Sequence, residues 1–109
     1  TEAANDMLDR LYVRLDGIIH NYIYGVDVED IETVLVEKLK ADGKTVATAE
    51  SCTGGGIGAA ITAVSGSSAV FKGGIISYTD WVKHSVLGVP EQILQTHGAV
   101  SAPAAAAMA

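Results

Sequence analysis

The sequence predicts an α/β domain, a layered sheet flanked by helices, and an incomplete one in this chain. Three observations carry that expectation. Residues 45–48 are a short, β-branched, uncharged run that reads as a buried strand. A polar, glycine-rich turn follows, and then an apolar run over 57–64 at helical spacing. A second apolar run, Phe71 and 73–78, reads as another strand and again leads into a helical pattern. The chain then ends at Ala109 inside a predicted helix with no closing strand, the mark of a fragment.

The elements follow in order. From Glu2 to His20, Met7, Leu8, Leu11, Leu15, Ile18 and Ile19 recur at helical spacing, with Asp6, Asp9, Arg10, Arg14 and Asp16 opposite them. This amphipathic helix is expected to break near Gly17. Residues 21–25 read as a short strand or extended crossing, in which Tyr22 and Tyr24 pack as strand aromatics or, alternatively, stack a base. Asp27 to Asp30 place carboxylates at a helix start, where the dipole favours them. Ile31, Val34, Leu35 and Leu39 make one stripe, and Asp42-Gly43 supplies the stop. The acidic run Asp27, Glu29, Asp30, Glu32 is explained by that solvated helix end without a metal. After the second strand, Asp80 is the expected N-cap of a short helix carrying Trp81, Val82, Lys83 and Leu87. Pro90 opens the next helix and Gly98 ends it. Ser101 caps a last one, with Pro103 just inside and alanines behind.

Composition narrows the partners. The chain has 109 residues, 49% hydrophobic and 18% charged, enough for one modest domain rather than two. A formal net charge of -6 argues against a nucleic-acid surface, which wants clustered Lys and Arg. No apolar run approaches the roughly 20 residues that cross a bilayer. A single cysteine excludes an internal disulfide, and a cytoplasmic location with no membrane partner is expected. His20, His84 and His97 lack ligand spacing, so neither a metal nor a cofactor is expected.

Chemistry is expected at the turn between first strand and first core helix. Ser51 stands at the strand end, and the free N–H groups of a helix's first turn point at any oxygen bound beside it. Serine needs a base to take its proton, and a buried lysine can be that base. Lys83 is the candidate, with Tyr78 at the end of the second strand to orient it or pass a proton to a leaving ammonia. The amides near Thr53 and Gly54 would form the oxyanion hole, and Cys52, Thr53, Gly54 and Gly55 are expected to contact substrate. The competing readings are structural: a serine in a glycine turn, a solvated lysine, and Cys52 as a small packed side chain. A phosphate- or nucleotide-binding module without chemistry, using the amides of Thr53 to Gly55, also remains open. So does an interaction piece built from the first helix and the two tyrosines.

A resemblance sharpens these expectations. Ala49-Glu50-Ser51-Cys52-Thr53-Gly54-Gly55, Gly66-Ser67-Ser68-Ala69, Ser77-Tyr78 with Lys83, Leu87-Gly88-Val89-Pro90 and His97-Gly98-Ala99-Val100-Ser101 follow one another in the order and spacing of the CinA C-terminal domain, the competence/damage-inducible family. The resemblance implies hydrolysis of the carboxamide of nicotinamide mononucleotide to nicotinic acid mononucleotide and ammonia, a step in pyridine nucleotide (NAD) recycling. It also implies nucleophile, proton-handling and base roles for Ser51, Tyr78 and Lys83. Residues 27–109 would be the N-terminal part of that domain, and residues 1–26 the tail of a preceding region. Gly56 and Gly58 are smaller than the family's usual side chains there. Because the family domain is longer, this chain is expected to be a poor enzyme alone and to self-associate, as a dimer or larger.

Overall fold

The structure, a computed structural model, describes every residue except Glu29, one member of the acidic run. It is mixed α/β: among the described residues there are six helices and a two-stranded parallel sheet. Helix α1 spans Glu2–Ile19, and a single 3-10 turn, His20–Tyr22, follows it. Then come α2 (Ile31–Ala41), β1 (Val46–Glu50), α3 (Gly56–Ala63), β2 (Phe71–Ile76), α4 (Asp80–Ser85), α5 (Glu91–His97) and α6 (Ala102–Met108).

Helix α1 does not break at Gly17. One glycine in a helix costs only about 1 kcal/mol and causes no clash. Asp6–Arg10 and Asp16–His20 pairs, each four residues apart, support the turns on either side. No residue of α1 is buried, and its apolar stripe faces outward along its length. The radius of gyration is therefore 19.0 Å, against about 13 Å for a compact domain of this size. Residues 21–25 are not a strand either. Residues 21 and 22 complete the 3-10 turn and Ile23 is extended, as in a crossing. Among the described residues, however, no strand offers a ladder there, and Tyr22 and Tyr24 are 85% and 50% exposed.

Helix α2 starts where its cap dictates. Asp30 is extended and accepts from the Thr33 N–H at 2.6 Å, which holds its carboxyl below its ordinary range. Val36 of α2, Ile61 of α3 and Val70 ahead of β2 form the buried core, with Leu39, Val46, Val64 and Phe71 packed around it. The two strands pair Thr48 with Gly74, Ala49 with Ile75 and Glu50 with Ile76, with an irregularity between Val46 and Thr48. Gly74 is needed at that irregularity: a Cβ there would collide with the Thr48 hydroxyl.

The later caps differ from expectation by one residue at α4. Thr79, not Asp80, is its cap, accepting from the Val82 N–H at 3.3 Å, while Asp80 becomes the first helical residue. Pro90 likewise precedes α5 as its cap residue, and Gly98 closes it. Ser101 caps α6 by accepting from the Ala104 N–H at 3.2 Å, with Pro103 just inside. The result matters for position. The carboxyl ends of both parallel strands open toward one side, where ligands bind in sheets of this kind.

Candidate functional site

The polypeptide leaves β1 at Glu50 and must turn sharply to enter α3. Gly54 and Gly55 make the turn with φ of +59° and +96°. At Gly55 a side chain would be strained by that φ and would also meet the Ile76 side chain at 2.9 Å. Ser51 is half-buried at the start of this turn, at one end of an open cleft of about 760 Å³. The cleft's walls are Ala47, Ala49 and Ile75 of the sheet on one side and Ser101, Ala105 and Met108 on the other. They are predominantly apolar, as the walls of small-molecule sites usually are.

Lys83 reaches the turn from α4, 32 residues away in sequence. Its Nζ lies 3.0 Å from the Ser51 Oγ and donates to the Ser77 carbonyl at 2.6 Å. The side chain is 1% exposed, and among the described residues no carboxylate pairs with it. Two uncharged oxygens are thus its compensation for leaving water. Ser77 is itself fully buried, and both its N–H (2.7 Å) and its hydroxyl (3.2 Å) donate to the Glu50 carbonyl.

The remaining residues expected at the site are placed differently from one another. The Tyr78 ring is 72% exposed, and among the described residues its hydroxyl has no hydrogen bond to Ser51 or Lys83. Cys52 is exposed and lines the cleft beside Ser51. The Thr53 hydroxyl donates to the Glu50 carboxylate at 2.7 Å. The Gly54 N–H donates to the Ser51 carbonyl at 3.0 Å within the turn.

Glu50 and the Ser77 carbonyl are the parts of this arrangement that sequence reasoning missed. Glu50 is 3% exposed, and its carboxylate accepts from the Thr53 hydroxyl and from the N–H groups of Ile57 (3.0 Å) and Gly58 (2.8 Å). An acidic residue a few positions before a helix start is the one signal that could have found it. A backbone carbonyl carries no sequence signal at all. The Thr53 hydroxyl first, and then the two amides, hold the Glu50 carboxyl at about 2, well below its ordinary 4.5. A carboxyl lowered on folding stabilises the fold above its ordinary value, and that contribution is lost as pH falls through the lowered one. Acidification from about 4.5 to about 2 is therefore expected to weaken the fold at this turn. Urea midpoints across that window should fall more steeply for the natural chain than for Glu50→Gln.

The comparisons with known proteins agree with one another. The family model of the CinA C-terminal domain matches residues 28–109. A CinA-like protein of Parasynechococcus marenigrum (strain WH8102) is 47% identical over 108 residues, 99% of this chain and 26% of that protein. A CinA-like protein of Synechococcus sp. (strain CC9902) is 53% identical over 88 residues, 81% of this chain and 21% of that one. The chain thus spans about a quarter of the length of the curated relatives it matches. Among solved structures, the competence/damage inducible protein CihA of Agrobacterium tumefaciens superposes with a TM-score of 0.72 at 41% identity, covering 80% of this chain and 53% of that one. A CinA superfamily protein of Escherichia coli gives 0.71 at 35% identity, covering 84% and 56%. With the family model matched from residue 28 to the last residue, and with sequence and structure pointing the same way, this chain belongs to the CinA C-terminal domain family, whose members include competence/damage-inducible proteins.

Proposed function

We propose that this chain carries the reacting part of an amidohydrolase that converts nicotinamide mononucleotide to nicotinic acid mononucleotide and ammonia, in pyridine nucleotide recycling. The observation that carries the reading is the buried Lys83 amine held 3.0 Å from the Ser51 hydroxyl at the end of an apolar cleft. In this reaction Lys83 in its amine form takes the Ser51 proton as Oγ adds to the carboxamide carbon. The C–N bond then breaks, and the proton passes to the departing nitrogen, which leaves as ammonia. Tyr78 is assigned the handling of that proton, which requires its exposed ring to turn toward the cleft. Water next adds to the acyl ester, giving its proton to Lys83, and the C–O bond to Ser51 breaks with return of the proton to Oγ. The N–H groups of Cys52 and Thr53, which have no acceptor among the described residues, are the donors for the developing oxyanion. A second copy of the chain is the macromolecular partner in this reading, through the exposed Ile76 of β2, which does not line the cleft.

The rival reading, a phosphate-binding module using the amides of Thr53 to Gly55, is weakened because the Gly54 N–H already donates to the Ser51 carbonyl and the buried Glu50 carboxylate beside this turn would repel a phosphate. Ammonia release from nicotinamide mononucleotide tests the proposal, with this chain and a full-length cyanobacterial relative assayed side by side. Release by both, faster for the longer protein, is the expected result. Binding of the nucleotide by both without ammonia would favour the module and overturn the amidohydrolase.

A further inference from the structure

Glu50 is clamped at both ends. Its carboxylate is tied to the turn and to α3, as Oε2 accepts from the Thr53 hydroxyl of the turn and from the Ile57 N–H, while Oε1 accepts from the Gly58 N–H. Its backbone carbonyl is tied to Ser77 through two donors. The Ser77 carbonyl in turn holds the Lys83 Nζ, and that Nζ reaches the Oγ of Ser51, the residue covalently next to Glu50. The contacts therefore close a ring: Glu50 to Ser77, Ser77 to Lys83, Lys83 to Ser51, and back along the chain. Neither Glu50 oxygen contacts Lys83 or lines the cleft, so the carboxylate has no place among the reacting atoms. The space at Gly58 agrees, since a Cβ there would sit 3.4 Å from Oε1 and 3.4 Å from the Phe71 ring.

We propose that Glu50 is a positioning residue for the nucleophile, locking the Ser51 turn onto α3 so that Oγ stays within proton-transfer distance of Lys83. This rests on the amidohydrolase reading for its catalytic meaning. Its geometric content stands without it. Glutamine is the informative substitute because it keeps size and shape but supplies only one oxygen. In either orientation of its amide, the NH2 group faces the Ile57 or the Gly58 N–H, donor against donor. The turn must then shift, and a misplacement of about 1 Å can cost about 100-fold in rate.

The test is a pair of variants, Glu50→Gln and Glu50→Asp, read by steady-state kinetics and by crystal structures. The expected result for Glu50→Gln is a kcat lowered about 100-fold with KM within about threefold, below the melting temperature of the variant. Glu50→Asp keeps the charge but withdraws it by one methylene, and a loss of about tenfold is expected. In the crystal of Glu50→Gln, the Ser51 Oγ to Lys83 Nζ distance should open beyond hydrogen-bond range, about 3.5 Å. Folded variants with unchanged kcat, or a pair still 3.0 Å apart, would overturn the proposal. Failure of both variants to fold would assign Glu50 to the scaffold as a whole and overturn it equally. If the natural protein releases no ammonia, the amidohydrolase reading fails, and the crystallographic distance alone then decides the role of Glu50.

Discussion

Ser51→Ala is expected to abolish ammonia release, lowering kcat on the order of 10⁶-fold, the size found when a serine nucleophile is deleted from a serine hydrolase. The substitution removes the oxygen that forms the acyl ester, and no neighbouring group can replace it in place. Cys52 is adjacent but on the next residue of a turn, and the Ser77 hydroxyl is committed to the Glu50 carbonyl. Nucleotide affinity should change little, because the cleft walls are untouched. Mass spectrometry of a quenched reaction checks the same point directly: an acyl adduct on the Ser51 peptide in the natural protein and none in the variant. Full turnover by Ser51→Ala would remove Ser51 from the chemistry. Melting temperatures separate this result from unfolding, since Lys83 loses only one of its two acceptors, and Ser51 is half-buried, within reach of water.

Lys83→Arg and Lys83→Met are expected to be comparably inactive, each losing about 10²–10⁴-fold in kcat, the usual contribution of a positioned base. Arginine keeps the charge but does not give up its proton in proteins, so it tests proton transfer apart from electrostatics. Methionine keeps the length of the stem and removes the nitrogen. Both strain the site, because the lysine is 1% exposed and the Ser77 carbonyl accepts its proton at 2.6 Å. Arginine overpacks the space at a cost of about 1–3 kcal/mol. Methionine leaves a buried carbonyl without its donor, about 1–3 kcal/mol. Kinetics below the melting temperature of each variant therefore carry the conclusion. Near-normal turnover by Lys83→Arg would make Lys83 an electrostatic helper and place the base elsewhere.

Local chemistry made much of the fold legible. Asp30 and Ser101 each have a side-chain oxygen that caps the N–H three residues on, so the starts of α2 and α6 could be read from residue type alone. The glycines after Ser51 announced a turn because few other residues adopt positive φ there. Where the reading failed, the missing information was a neighbour. Residues 21–25 have strand-like side chains, but a strand exists only against another, and among the described residues none lies beside them. Gly17 looked like a break because its propensity is poor, yet a cost of about 1 kcal/mol does not end a helix held by its neighbours.

By itself the sequence determined the order of strand, turn and helix, and it put Ser51 at the carboxyl end of a strand, because those features depend on spacing of a few residues. That β1 is half-buried rather than buried was decided by what packs on it. Only the tertiary structure decided that Lys83, 32 residues on, lies against Ser51. It also decided that Glu50 turns its carboxylate into the start of α3 while Tyr78 faces outward. The physical reason is that those contacts depend on parallel pairing of β1 with β2. That pairing sets Glu50 against Ile76, next to Ser77, and so brings the carbonyl that holds Lys83 to the residue before the nucleophile.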